Sequence, residues 1–136
     1  MINSVKQAIA NKLLDVYPAG YTVYDEEIPQ NYNRPSFLIQ LLEQDYSKRL
    51  NSKYKSLMTF DVTYFSNSEV TELRADCQKV MIDLSRAFDL IETYRVHNLK
   101  TRITDNILHI TFAIRVSEIK TENAILMQQQ ETNTNI

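Results

Sequence analysis

Two alternating segments constrain this chain more than any other feature. From Ser36 to Tyr46, Phe37, Ile39 and Leu41 fall on one side of an extended chain, and Leu38, Gln40 and Leu42 on the other. From Tyr54 to Phe65, Met58, Phe60, Val62 and Tyr64 alternate with Thr59, Asp61 and Thr63. A period of two sustained this long is strand geometry, and the polar run Lys48-Arg49-Leu50-Asn51-Ser52-Lys53 between the segments is a hairpin turn. A long hairpin with one apolar face must bury that face under another layer.

Helices are available to form that layer. Ile2, Val5, Ile9, Leu13 and Val16 recur three or four apart and predict an amphipathic helix over roughly 3–17. Ser4 and Gln7 have capping-box spacing at its start, and Pro18-Ala19-Gly20 ends it. A second apolar stripe, Val70, Leu73, Cys77, Val80, Met81, Leu84 and Phe88, predicts a helix over roughly 68–88, opened by Ser66 and Glu69 at capping-box spacing. Tyr21 to Tyr24 is a short strand. Segments 93–104 and 107–119 form another hairpin around Asp105-Asn106, with Leu108, Ile110, Phe112, Ile114 and Val116 on its core face.

The order α-β-β-β-α-β-β reads as an α+β two-layer sandwich. Its sheet is antiparallel or mixed, with four to five strands and two helices on one face. The expected domain covers 1–119. Residues 120–136, rich in Gln, Asn and Thr, are expected to be a flexible polar tail. Two helices cover one face only, so the other, bearing Thr59, Asp61, Thr63, His109 and Thr111, is expected to be exposed.

Composition removes several function classes. One glycine cannot build a phosphate-cradling loop or a dinucleotide fingerprint. Lys and Arg total 15 against 17 Asp and Glu, without the basic excess typical of nucleic-acid binders. No apolar run approaches the ~20 residues that span a bilayer. The start has no basic stretch followed by an apolar block, so no signal peptide is expected and the chain is expected to be made in the cytoplasm and stay soluble.

No chemistry stands out. Cys77 lies on a buried stripe and reads as a core thiol. His97 and His109 sit on different strands of the second hairpin, where they could face one another, but no third metal ligand suggests itself. Asp25-Glu26-Glu27 are adjacent, and adjacent carboxylates rarely converge on one substrate atom. No catalytic residue, cofactor site or metal site is expected, and the chain reads as a non-enzyme. The order α-β-β-β-α also describes a double-stranded RNA-binding module, and Lys48, Arg49, Lys53 and Lys55 would suit its basic tip. Acidic Glu69, Glu72, Asp76 and Asp83 on the second helix, and the strands after it, oppose that alternative.

The stretch from Tyr24-Asp25-Glu26-Glu27-Ile28-Pro29-Gln30 through Arg34-Pro35-Ser36-Phe37 precedes a long hairpin ending Phe60-Asp61-Val62-Thr63-Tyr64-Phe65. This pattern resembles the tail terminator proteins of Gram-positive prophages and bacteriocin-type phage-tail-like particles, over about residues 2–119. The resemblance implies a structural subunit of a sixfold ring at the head-proximal end of the tail tube. Such a ring stops tube and sheath polymerisation and offers a neck or collar interface. The implied partners are other copies of the chain, the tube protein, the sheath protein and a neck or collar protein, with no membrane and no specific nucleic acid. Another neck, head-completion or baseplate protein is the neighbouring reading. The clusters Lys48, Arg49, Lys53, Lys55 and Asp25, Glu26, Glu27 are of opposite sign. They suit a heterologous ring contact, or else are solvated surface charge.

Overall fold

The computed structural model describes residues 2–48 and 53–119. Helix α1 spans Ile2–Val16 and helix α2 spans Leu73–Ala87. The strands are β1 Thr22–Asp25, β2 Ser36–Lys48, β3 Lys53–Phe65, β4 Leu90–Ile91, β5 Tyr94–Thr104 and β6 Ile107–Ile119. They form one six-stranded sheet in the order β1-β2-β3-β6-β5-β4. The expected α+β class holds, but the sheet has six strands rather than four to five. The addition is β4, two residues long, which a periodicity argument cannot detect because two residues contain no period.

The sheet is mixed. β1 runs parallel to β2, pairing Thr22 with Ser36 through Asp25 with Ile39, because the intervening loop carries the chain back before β2 starts. That loop is held by Tyr24, whose hydroxyl accepts the Asn33 N–H at 2.9 Å, and by Tyr32, which packs on Phe65 at 5.3 Å. All other neighbours are antiparallel. Gln44 meets Ser56 as Tyr46 meets Tyr54, and Asp61 meets Thr111 as Thr63 meets His109, numbers rising on one strand while they fall on the other. β5 pairs antiparallel with both β6 and β4. Thr104 pairs with Ile107 across a two-residue turn, and Asp105 and Asn106 take the left-handed φ values of 53° and 61° that such a turn demands.

Both helices lie on one face. Tyr17, just past α1, stacks on Phe37 at 5.9 Å, and Phe37 meets Tyr64 at 5.1 Å. At the end of α2, Phe88 meets Phe112 edge-on at 5.3 Å, and Phe112 meets Phe60. Val5, Ile9 and Leu13 of α1 and Cys77, Val80 and Leu84 of α2 complete this core, each fully or almost fully buried. Burying each large apolar side chain contributes roughly 1.5–3 kcal/mol, so this layer dominates stability. Gly20 adopts φ +84° where the chain turns from α1 towards β1, a conformation other residues rarely take.

Helix α2 starts later than expected. Ser66 does not cap it; its hydroxyl accepts the Ser68 N–H at 3.0 Å and donates to Asp76 inside the first turn. Glu72 donates its N–H to the Glu69 carbonyl, so residues before Leu73 form a turn rather than helix. The serine is committed to a carboxylate ahead of it, and no cap remains at the expected place.

The chain divides into two compact units. One comprises Met1–Glu43 with Met58–Ile114, and holds both helices and the aromatic core. The other comprises Gln44–Leu57 with the chain from Arg115, and is organised by the Tyr46–Tyr54 ring contact and a 2.9 Å Gln44–Ser56 hydrogen bond. The expected polar tail, 120–136, lies outside the described residues.

Candidate functional site

The sheet face opposite the helices is not the solvated surface expected from the sequence. Alternation along β3 and β6 places Asp61, Thr63, His109 and Thr111 together there. Asp61 is 7% exposed and Thr63 is 3% exposed. Thr63 donates to Asp61 Oδ2 at 2.6 Å and Thr111 donates to Oδ1 at 3.3 Å. His109 Nδ1 lies 3.3 Å from both Asp61 Oδ2 and Thr63 Oγ1. Burial is tolerated because the carboxylate receives hydroxyl donors on both oxygens. The sequence showed these residues on one face; that they close on one another depends on the β3–β6 register.

His97 and His109 do not face each other. Across the β5–β6 ladder His97 lies opposite Ala113, and His109 lies opposite Arg102. An extra residue on β5 between His97 and Lys100 shifts the register, with Asn98 at φ 55°. Cys77 is fully buried, its thiol lying 3.4 Å from the Asn106 carbonyl. Burial pushes that thiol up and the neighbouring Asp76 charge adds to the shift, which disfavours the nucleophilic thiolate.

The acidic run at the end of β1 is partly neutralised within the chain. Lys6 of α1 pairs with Asp25 at 2.9 Å and with Glu26. Glu26, at φ 65°, also accepts the Leu41 N–H at 3.0 Å. Burial pushes the Glu26 carboxyl up, but the Lys6 hydrogen bond, the Leu41 N–H and the Lys6 charge outweigh it and hold it below the usual range. For Lys6, burial pushes the ammonium down and its two carboxylate partners raise it above its ordinary value. Asp25 and Glu26 nonetheless keep 62% and 43% of their side chains exposed, and Glu27 is exposed without an ion-pair partner among the described residues. Nothing local in the sequence brings Lys6 of α1 to the end of β1; the pairing depends on how the helix packs.

Of the basic hairpin cluster, Lys48 ends β2, Lys53 begins β3, and Arg49 lies outside the described residues. Lys55 is half-buried on β3, its carbonyl facing the Ser47 hydroxyl. Asp45, Tyr46, Lys55 and Arg115 line a shallow groove of about 340 Å³ in this unit. A second basic group stands on β5: Arg95, Lys100 and Arg102, all exposed. Lys100 and Arg102 are two residues apart in a strand, a spacing that puts both on one face. That signal was legible, but its position at a sheet margin was not.

Among the described residues no three His, Cys, Asp or Glu side chains stand close enough to hold a metal ion, and no helix is long and apolar enough to cross a membrane. A family model described as phage tail terminator protein matches residues 4–125. No curated protein matches the chain.

Proposed function

Because the chain belongs to the phage tail terminator protein family, we propose that it is the subunit of a ring closing the head-proximal end of a tail tube. The family match, which runs over nearly the whole chain, is the observation that carries this reading, and it makes the protein a structural component of a phage tail. The finer content is our own. Six copies assemble on the last ring of the tube, end tube and sheath growth, and present a neck or collar surface. The parent particle is a prophage tail or a headless, bacteriocin-type tail of a Gram-positive bacterium, and the protein acts by assembly rather than catalysis.

Two features support an assembly role. Exposed charge of both signs stands without ion-pair partners among the described residues, including Glu27 and the β5 cations. Exposed apolar side chains also remain, with Leu42 at 56% and Tyr46 at 54% exposure on β2. Within this reading, Lys48, Arg49, Lys53 and Lys55 on the hairpin contact the tail tube, and Asp25, Glu26 and Glu27 face another copy.

The deciding experiment deletes the gene from a tail-producing host and measures tube lengths by negative-stain microscopy. Tubes of irregular, excessive length, corrected when the chain is supplied again, are expected. Tubes of normal length without the chain would refute the reading.

A further inference from the structure

The two margins of the sheet in the helix-bearing unit are both open, and their charges are opposite. At one margin β4 pairs with β5 only at Tyr94 and Arg95, and the Asp89 carbonyl takes the Val96 N–H. From His97 to Thr104, β5 is laddered to β6 alone among the described residues. Arg95, Lys100 and Arg102 stand exposed along this strand, and none has an ion-pair partner among the described residues. Edge cations and the bulge at Asn98 are devices that stop an edge strand from pairing with any passing chain. They repel indiscriminate partners, yet they would attract an acidic edge.

The opposite margin is such an edge. β1 covers β2 only from Ser36 to Ile39. Beyond it, the Glu26 carboxylate occupies the Leu41 N–H. Asp25, Glu26 and Glu27 follow one another there, with Lys6 paired to the first two, and Glu43 lies on β2 two residues beyond Leu41; Glu27 and Glu43 are exposed with no ion-pair partner among the described residues.

We propose that the cationic β5 edge of one copy docks on the acidic β1–β2 edge of the next, making the subunit contact of the ring heterologous and ionic. The inference rests on the ring reading and deepens it by assigning the contact. A contact using two different patches of the same chain repeats by one rotation and closes into a ring when that rotation divides the circle. The hairpin cations are then left for the tube.

Two full-length variants test the contact. K100E/R102E makes both edges acidic, and E27K/E43K makes the acidic edge basic while leaving β5 basic. All four positions are exposed, so each variant should melt with the parent. Assembly is read by analytical ultracentrifugation and by negative staining of tail ends. Each variant alone should lose the ringed fraction by about tenfold or more, because like charges then face each other at every contact. An equimolar mixture should regain rings, since every contact between the two variants is again of opposite sign. If the parent forms rings and either variant alone does so equally, or if the mixture stays dispersed, the edge contact is overturned and the ring stands. A parent that neither forms rings nor occupies tail ends overturns the ring reading and this contact with it.

Discussion

Asp76 does more for this fold than its place on a helix suggests. It lies in the first turn of α2, where a negative charge is favoured by the helix dipole, and it accepts hydroxyl protons from Tyr64 at 2.7 Å and from Ser66. One carboxylate thereby pins α2 to β3 and to the residue following it. Burial and the carboxylate together push the Tyr64 phenol far above its ordinary value, so this donor keeps its proton. Asp76→Ala strands two hydroxyls in a poorly hydrated place and should cost about 3 kcal/mol in urea unfolding. Tyr64→Phe removes a donor but leaves Asp76 its serine, and should cost about 1 kcal/mol. Equal losses in the two variants would mean that the network contributes nothing beyond one bond.

A second prediction at this scale concerns acid. The Glu26 carboxyl lies below the ordinary value of 4.5, so it stabilises the fold above that pH and the contribution disappears as pH falls through the lower folded value. Lys6 has the mirror behaviour: its contribution is complete below the ordinary 10.5 and fades only above it. Stability measured at stepped pH should therefore drop below about pH 4.5, and more shallowly in Glu26→Gln than in the parent. Identical acid slopes would show that the Lys6–Glu26 pair is held without net gain.

Among the elements, the β5–β6 hairpin has the most exacting local requirement. Asp105 and Asn106 both occupy positive φ, where a branched side chain is strained and glycine is not. Asn106→Gly should be neutral or stabilising, whereas Asn106→Val should cost roughly 1–2 kcal/mol, both read from denaturant midpoints. A tolerated valine would place the turn in another geometry. The start of α2 shows how a local signal is outcompeted. Ser66 and Glu69 have the spacing of a capping box, yet Ser66 bonds Asp76 and α2 begins at Leu73. The capping pattern was legible; the competing acceptor was visible only once α2 packed on β3.

For the whole molecule, the hairpin charges and the sheet margins are assigned separate partners, and the two assignments predict separate failures. K48E/R49E reverses the hairpin cations proposed to meet the tube. It should leave the protein folded and still able to associate with itself, which the melting temperature and ultracentrifugation check, but should yield tails of irregular length. Tails of normal length would release the hairpin from that role and leave the sheet margins as the contact surface. What the sequence by itself determined is the part governed by local period. The two long hairpins, both helical stripes, the burial of Phe37, Tyr64, Cys77 and Leu84, and the left-handed turn at Asp105-Asn106 follow from side chains within a few residues of one another. The similarity to tail terminators was legible for a related reason, since it is carried by order and spacing along the chain. Tertiary structure alone decided that β1 runs parallel to β2, that two residues form β4, that Asp61 is buried beneath two threonines and a histidine, and that Arg95, Lys100 and Arg102 stand at a sheet margin. Apart from β4, which pairs with its near neighbour but is too short to show a period, each of those depends on which distant strand lies alongside, and cross-strand neighbours are set by closure of the whole sheet, which no window of adjacent residues contains.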